Sequence, residues 1–244
     1  MPLSTRARAL LVLAATVVGV GVSGRLAVWQ LDRAAQKIAI QERIEARASL
    51  PPIESAELAR STPAAVDQHY RRATLAGRWV AEHTVFLENR QVDGRPGFHV
   101  LTPLQLEARP EAVIVQRGWA PRDFRDRAAL PTVPTPPGSV RVEGLIAPPP
   151  PRLYEFSNAA SGPLRQNIEL SAFGRETGRV LAPLSVLQAD SPSTAGDGLV
   201  RKWPLRTLDF QKNYGYAFQW AALGALMAGL YVWFQLVRPF RQRS

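Results

Sequence analysis

Two long apolar stretches stand near the ends of the chain, and shorter alternating segments fill the middle. Residues 9–24 read ALLVLAATVVGVGVSG without a charge. Near the other end, no charged residue falls between Lys212 and Arg238. That run is about 25 residues, and about 20 apolar ones suffice to cross a bilayer as a helix. The first stretch supports two readings. Arg6 and Arg8 before it and the small residues at 22–24 after it fit a cleaved signal peptide. An uncleaved helix would instead continue to Leu31, with Arg25 snorkelling and Trp29 in the aromatic belt at the interface. The expectation is two retained spans, at residues 9–31 and 214–237. The first helix is expected to run on through 32–48, which is rich in Ala, Gln, Glu and Arg, until Pro51 and Pro52 end it.

The middle reads mostly as strands. Residues 70–79 alternate weakly and 55–59 suit a single helical turn. VFLENR (85–90) is a strand, Asp93-Gly94 marks a turn, and FHVLTPLQL (98–106) is the hairpin partner. AVIVQRGW (112–119) carries the strongest strand signal, with β-branched residues in series. A proline-rich connection at 131–138 precedes a strand at 140–147, and the prolines at 148–151 form a stiff connector. Residues 168–177 suit a short helix closed by Gly178. A strand interrupted by Pro183 is expected at 180–188, a flexible polar loop at 191–198, and a final short strand at 199–203. The fold class expected is an α+β membrane protein: two transmembrane helices flanking one strand-rich, barrel-like domain at 49–212.

Charge sets the orientation. The short ends carry Arg6 and Arg8 on one side and Arg238, Arg241 and Arg243 on the other, which places both termini in the cytoplasm by the positive-inside rule. Residues from about 32 to 212 would then face the periplasm, or the equivalent outer compartment. The net charge of +10 favours anionic partners such as lipid headgroups or carboxylate ligands. Arginine far outnumbers lysine, which suits bidentate carboxylate recognition and equally a G+C-rich genome. The absence of cysteine removes disulfides, thiolate metal sites and cysteine nucleophiles.

The search for catalytic chemistry finds no constellation. His69, His83 and His99 have no metal-site spacing and fall in or beside strands, where a structural role is expected. No nucleophile-elbow or phosphate-loop motif occurs. Glu88 and Asp93 have no nucleophile or base beside them and read as surface charges. Spans without an intramembrane acid do not suit a pump, and no aromatic-interleaved basic motif suggests nucleic acid. A non-enzyme is expected.

What remains is a crowded pair of membrane entrances. Arg25, Trp29, Arg33 and Lys37 are four apart on the first helix, and Tyr216 and Trp220 are four apart on the second. The segment Trp29-Gln30-x-x-Arg33-x-x-x-Lys37 resembles the signature that follows the first membrane helix of the surfeit locus protein one family. Phe86-Leu-Glu-Asn89-Arg90, Gly94 and Gly97-Phe98-His-Val-Leu-Thr102-Pro103-Leu104 resemble its central hairpin. Val113-Ile-Val-Gln-Arg117-Gly118-Trp119-Ala-Pro121 resembles its V-x-R-G-W-x-P strand, and Tyr216-Ala-Phe-Gln219-Trp220 its entrance to the second helix. The four motifs occur in the family's order over nearly the whole chain, with residues 122–135 and 148–200 adding little.

The resemblance implies a non-catalytic assembly factor for a haem-copper cytochrome c oxidase, one that helps deliver haem a to the catalytic subunit. The oxidase catalytic subunit, haem a synthase and membrane lipid are the partners it implies. The cofactor-binding residues expected are Trp29, Gln30, Arg33, Lys37, Tyr216, Gln219 and Trp220: aromatic rings for the apolar plate, cations for the propionates. Another expectation is a tethered scaffold that holds oxidase subunits without touching haem. The sequence departs from the family at one place. Many members carry a histidine, the favoured haem ligand, three positions before the tyrosine; here that position is Asn213.

Overall fold

The computed structural model describes residues 4–107, 109–123, 126, 129–154, 162–203 and 210–241. The chain divides into two compact units, Met1–Glu42 with Leu205–Ser244, and Arg43–Pro204.

The first unit is a helix pair. Helix α1 runs unbroken over Thr5–Ala48. Its partner, which is α4 in chain order, covers Gln211–Tyr231 and continues through a π-helical turn at Val232–Val237. Both are long and apolar enough to cross a membrane. The two run antiparallel, as their contacts show: a Cβ on Gly19 would meet Met227, one on Gly224 would lie 3.3 Å from Ser23 Cβ, and Gln30 bonds Asn213. Small buried residues form the seam: Ser23 and Ala34 on α1, Ala217 and Gly224 on α4. They let the two backbones approach closely. The outer faces stay apolar and exposed, with Leu10, Val17, Leu226 and Phe234 among them. Beyond the π-helical turn, the Arg238 guanidinium lies 5.9 Å from the Phe234 ring centroid and that of Arg241 5.9 Å from the Trp233 centroid.

The second unit is built on one sheet. Among the described residues its strands are β1 (Ile53–Glu54), β2 (Arg72–Trp79), β3 (Val85–Val92), β4 (Arg95–Leu106), β5 (Ala112–Pro121), β6 (Ser139–Ala147), β7 (Leu164–Arg165) and β8 (Leu181–Gln188). The order is β1-β2-β6-β8-β5-β4-β3-β7, and β2 also pairs with β4 through Gly77–Leu106. The pairings of β2, β6, β8, β5 and β4 therefore return to their starting strand. Leu75, Leu104, Val113, Val142, Ile146 and Leu184 fill the space they enclose. Glycine makes the close approaches possible. A Cβ on Gly77 would stand 2.4 Å from Gln105 O.

The β3–β4 hairpin forms as the alternation predicts. Asp93 and Gly94 both have positive φ, 51° and 75°, which is the geometry of a tight two-residue hairpin turn. Helix α3 (Leu170–Thr177) is closed by Gly178 in the left-handed conformation, and Glu169 caps its start by accepting from the Ser171 and Ala172 N–H groups.

Other expectations change. Pro183 does not interrupt β8; the strand instead shifts register against β5 between Ala112 and Ile114. The loop at 191–198 is tied down by a 3-10 turn with a capping box between Ser191 and Thr194, and Asp197 pairs with Arg201. The strand expected at 199–203 reduces to one bridge between Trp119 and Val200. Helix α2 (Thr62–Gln68) is an addition: too short for a periodic signal, it was marked only by Ser61 before it and Pro63 in its first turn. Glu88 pairs with Arg122 at 2.9 Å and Asp93 with Lys202, so the two carboxylates serve different ion pairs.

His99 faces Trp203 edge-on at 5.7 Å on β4. Burial, with Arg90 nearby, lowers its pKa from 6.5 to about 4. The unfolded chain therefore binds a proton between those values that the folded chain refuses. Stability is fully present above about pH 6.5 and is lost as pH falls towards 4, by on the order of 3 kcal/mol. Urea titrations between pH 4.5 and 7.5 check this: His99→Gln is expected to flatten that part of the profile.

Candidate functional site at the helix pair

Asn213 sits in the first turns of α4, in the seam, with 9% of its surface exposed. Its side-chain amide is engaged at both ends by α1. Nδ2 donates to Gln30 Oε1 at 2.6 Å, and Oδ1 accepts from Lys37 Nζ at 2.7 Å. Gln30 and Lys37 are seven residues apart, two turns of one helix face, so a single amide spans them. An unpaired amide in this apolar seam would be costly, and here both of its functions are satisfied.

The aromatic residues flank that clamp. At about 100° per residue, Arg33 lies about 60° and Trp29 about 100° round α1 from Gln30. Tyr216 lies about 60° round α4 from Asn213, and Trp220 about 20°, all in the same rotational sense. Between antiparallel helices an equal sense means one common face. Trp29, Arg33 and Tyr216 thus share a face of the pair near the level of the clamp. Trp29 and Tyr216 are each 52% exposed, and Trp220 is half-buried. Arg33 Nη1 donates to Gln36 Oε1 at 3.2 Å. Gln219, about 120° from Asn213, stands furthest from the seam.

The family model described as SURF1 family matches residues 17–225. The chain belongs to the SURF1 family. Proteins of Mycobacterium tuberculosis and Mycobacterium bovis named as SURF1-like are 27% identical over 210 residues, covering 82% of this chain and 73% of theirs. The SURF1 match runs from within α1 to within α4 and so includes every residue of the clamp and its flanks.

The motifs that first suggested the SURF1 family divide by role in the structure. Those of the sheet unit lock the hairpin. Gly97 leaves room for the Trp119 indole, since a Cβ there would lie 2.5 Å from the ring and 2.2 Å from Ala120 O. The Trp119 indole Nε1–H donates to Arg90 O at 3.0 Å. Arg117 is buried, donates to Thr135 and Pro134 O, and lies 4.8 Å over the Trp79 ring. Burial pushes its pKa down, Asp197 opposes that and Arg201 adds to it.

Of the residues expected from the sequence, contacts join Gln30 and Lys37 through Asn213; Trp29, Arg33 and Tyr216 share the adjoining face, and Trp220 lies nearer the seam. Asn213 itself is the residue that the comparison of motifs undervalued. The available signal was its position, three before Tyr216 and therefore on the seam side of α4.

Proposed function

We propose that this SURF1 family member is an assembly factor for a haem-copper cytochrome c oxidase, and that it holds haem a transiently on the Trp29–Arg33–Tyr216 face for delivery to the catalytic subunit. The observation that carries the proposal is the common face itself. Two half-exposed aromatic rings and one guanidinium stand beside a satisfied polar clamp. An apolar plate with carboxylates at one edge suits that set: rings against the plate, Arg33 to a propionate. Axial ligation does not follow from it. Both ends of the Asn213 amide are engaged, asparagine is a poor iron ligand, and neither helix carries a histidine. The residues therefore fit the plate and its edge, and handling of haem here rests on packing and charge.

The membrane setting belongs to the same proposal. Helices α1 and α4 cross a bacterial inner membrane with both termini cytoplasmic, and the sheet unit is periplasmic. The returning circuit of strands is read as a small closed barrel. Haem a synthase and membrane lipid are further partners.

Deleting the gene is expected to lower haem a in the oxidase while its subunits are still made. Protein purified from cells that make haem a is expected to show a Soret band, weakened several-fold by Trp29→Ala or Trp220→Ala. A colourless protein that still co-purifies with oxidase subunits would instead support a scaffold, which the fully engaged Asn213 favours. Normal oxidase spectra in the deletion strain would exclude both.

A further inference from the structure

A cleft of about 710 Å³ opens on the sheet unit, away from the circuit's interior, between α2, the start of α3 and the beginning of β8. Its volume lies in the range of small-molecule sites. Its bed is apolar and partly open to solvent: Val66 is 51% and Val180 65% exposed, with Leu181 and Ile168 behind them. Such side chains gain by being covered.

The charge around this bed is one-sided. Arg152, Arg175 and Arg179 line the cleft against a single carboxylate, that of Glu169. Glu169 is committed elsewhere, since it accepts from Ser171 N, Ala172 N and Ser171 Oγ at 2.7–2.9 Å to cap α3. Arg179 is fixed by Gln105 Oε1 at 2.8 Å and stands 4.0 Å from Glu82. Arg175 makes a 3.5 Å contact to Ser171 Oγ and acts on the Glu169 carboxylate only through space, and among the described residues Arg152 has no hydrogen-bond or ion-pair partner. His69 Nε2 also lines this region, is inaccessible to solvent and lacks a hydrogen-bond partner among the described residues. Two exposed guanidiniums, neither in an ion pair among the described residues, beside uncovered aliphatic groups, match one ligand chemistry.

We propose that this cleft binds a small amphipathic anion, its apolar body on Val66, Val180 and Leu181 and its carboxylate or phosphate on Arg152 and Arg175. Guanidinium recognises both head groups through paired N–H donors. The ligand comes from a soluble carboxylate with an aliphatic tail or from an acidic phospholipid headgroup. The site lies in the sheet unit and stands or falls independently of the helix-pair reading.

The full-length protein in phosphatidylcholine nanodiscs, titrated calorimetrically with octanoate, tests this. Octanoate is expected to bind, octanol to bind at least tenfold more weakly, and the Arg152→Gln/Arg175→Gln double variant to lose at least tenfold in affinity for octanoate. Both arginines are exposed, so the variant is expected to keep the parent circular dichroism spectrum. Val66→Asp, which places a carboxylate on the bed, is a second variant expected to abolish binding. In discs containing phosphatidylglycerol, loss of the octanoate signal supports the lipid headgroup as the source, and an undiminished signal supports a soluble ligand. Absence of octanoate binding, equal binding of octanol, or unchanged binding by both variants overturns the proposal.

Discussion

Replacing Phe98 with alanine is expected to remove roughly 3–5 kcal/mol from the stability of the sheet unit, the cost of deleting a fully buried aromatic side chain. Phe98 is 0% exposed and packs with Phe86, Val100 and Ala120. Its ring meets Phe86 edge-on at 6.3 Å, and the Arg122 guanidinium lies 5.0 Å over it. Arg122 in turn pairs with Glu88 on β3. The substitution thus opens a cavity and loosens an ion pair that crosses the hairpin. Single domains have about 5–15 kcal/mol in hand, so most of the margin would go. Urea unfolding in mild detergent, followed by tryptophan emission, is expected to show a large fall in midpoint. Phe98→Leu keeps an apolar side chain in place and is expected to cost less. Equal midpoints for Phe98→Ala and the parent would mean that this hairpin does not carry the core.

Phe98 also illustrates what the sequence makes legible. Alternation around the Asp93-Gly94 turn is a local signal, and β3 and β4 form where it points. Gly178 likewise announces the end of α3 by conformational freedom alone. The pairing of β2 with β4 is different, because it joins strands with β3 between them, and no local pattern encodes it. The two-residue strands β1 and β7 are too short to alternate. Arginine misleads most. No local pattern marks Arg90, Arg109, Arg117 and Arg165 for burial, yet each is buried and donates to carbonyls, hydroxyls or a carboxylate. A side chain with five donors can be buried wherever acceptors converge, and convergence is a property of the fold.

The same limit holds at the helix pair. Motif comparison picks out Trp29, Arg33, Tyr216 and Trp220 as ring and charge partners, and helical geometry puts them beside one seam. It presents Asn213 only as the loss of a histidine. The contact with Gln30 and Lys37 is invisible to it, since those residues lie 183 and 176 positions away. Once that contact is known, Asn213 is a positive feature: a polar group at a buried seam position, of the kind that fixes the register of paired helices.

That role predicts a second large effect. Asn213→Leu is expected to strand Gln30 Oε1 in the seam, at about 1–3 kcal/mol, and to remove the hydrogen bond that Lys37 makes across it. The absence of cysteine gives a clean reporter of register. A Cβ on Gly224 would lie 3.3 Å from Ser23 Cβ, close to the roughly 3.5–4.5 Å that a disulfide spans. The Ser23→Cys/Gly224→Cys pair is therefore expected to cross-link readily under mild oxidation, and Asn213→Leu to cut that yield several-fold. Asn213→Asp is expected to retain it: the carboxylate keeps Lys37, and the Gln30 amide can turn to donate. Asn213→His separates register from ligation. The larger imidazole holds its one donor and one acceptor in a different geometry from the amide, so cross-linking should fall. If the neighbouring face holds haem a, the Soret band should rise several-fold in the same variant, because a strong axial ligand now stands beside the plate. Cross-linking unchanged by Asn213→Leu would show that the small residues alone set the register. A rise in cross-linking with Asn213→His would contradict the clamp, and a Soret band no stronger than the parent's would argue that haem does not lie on this face.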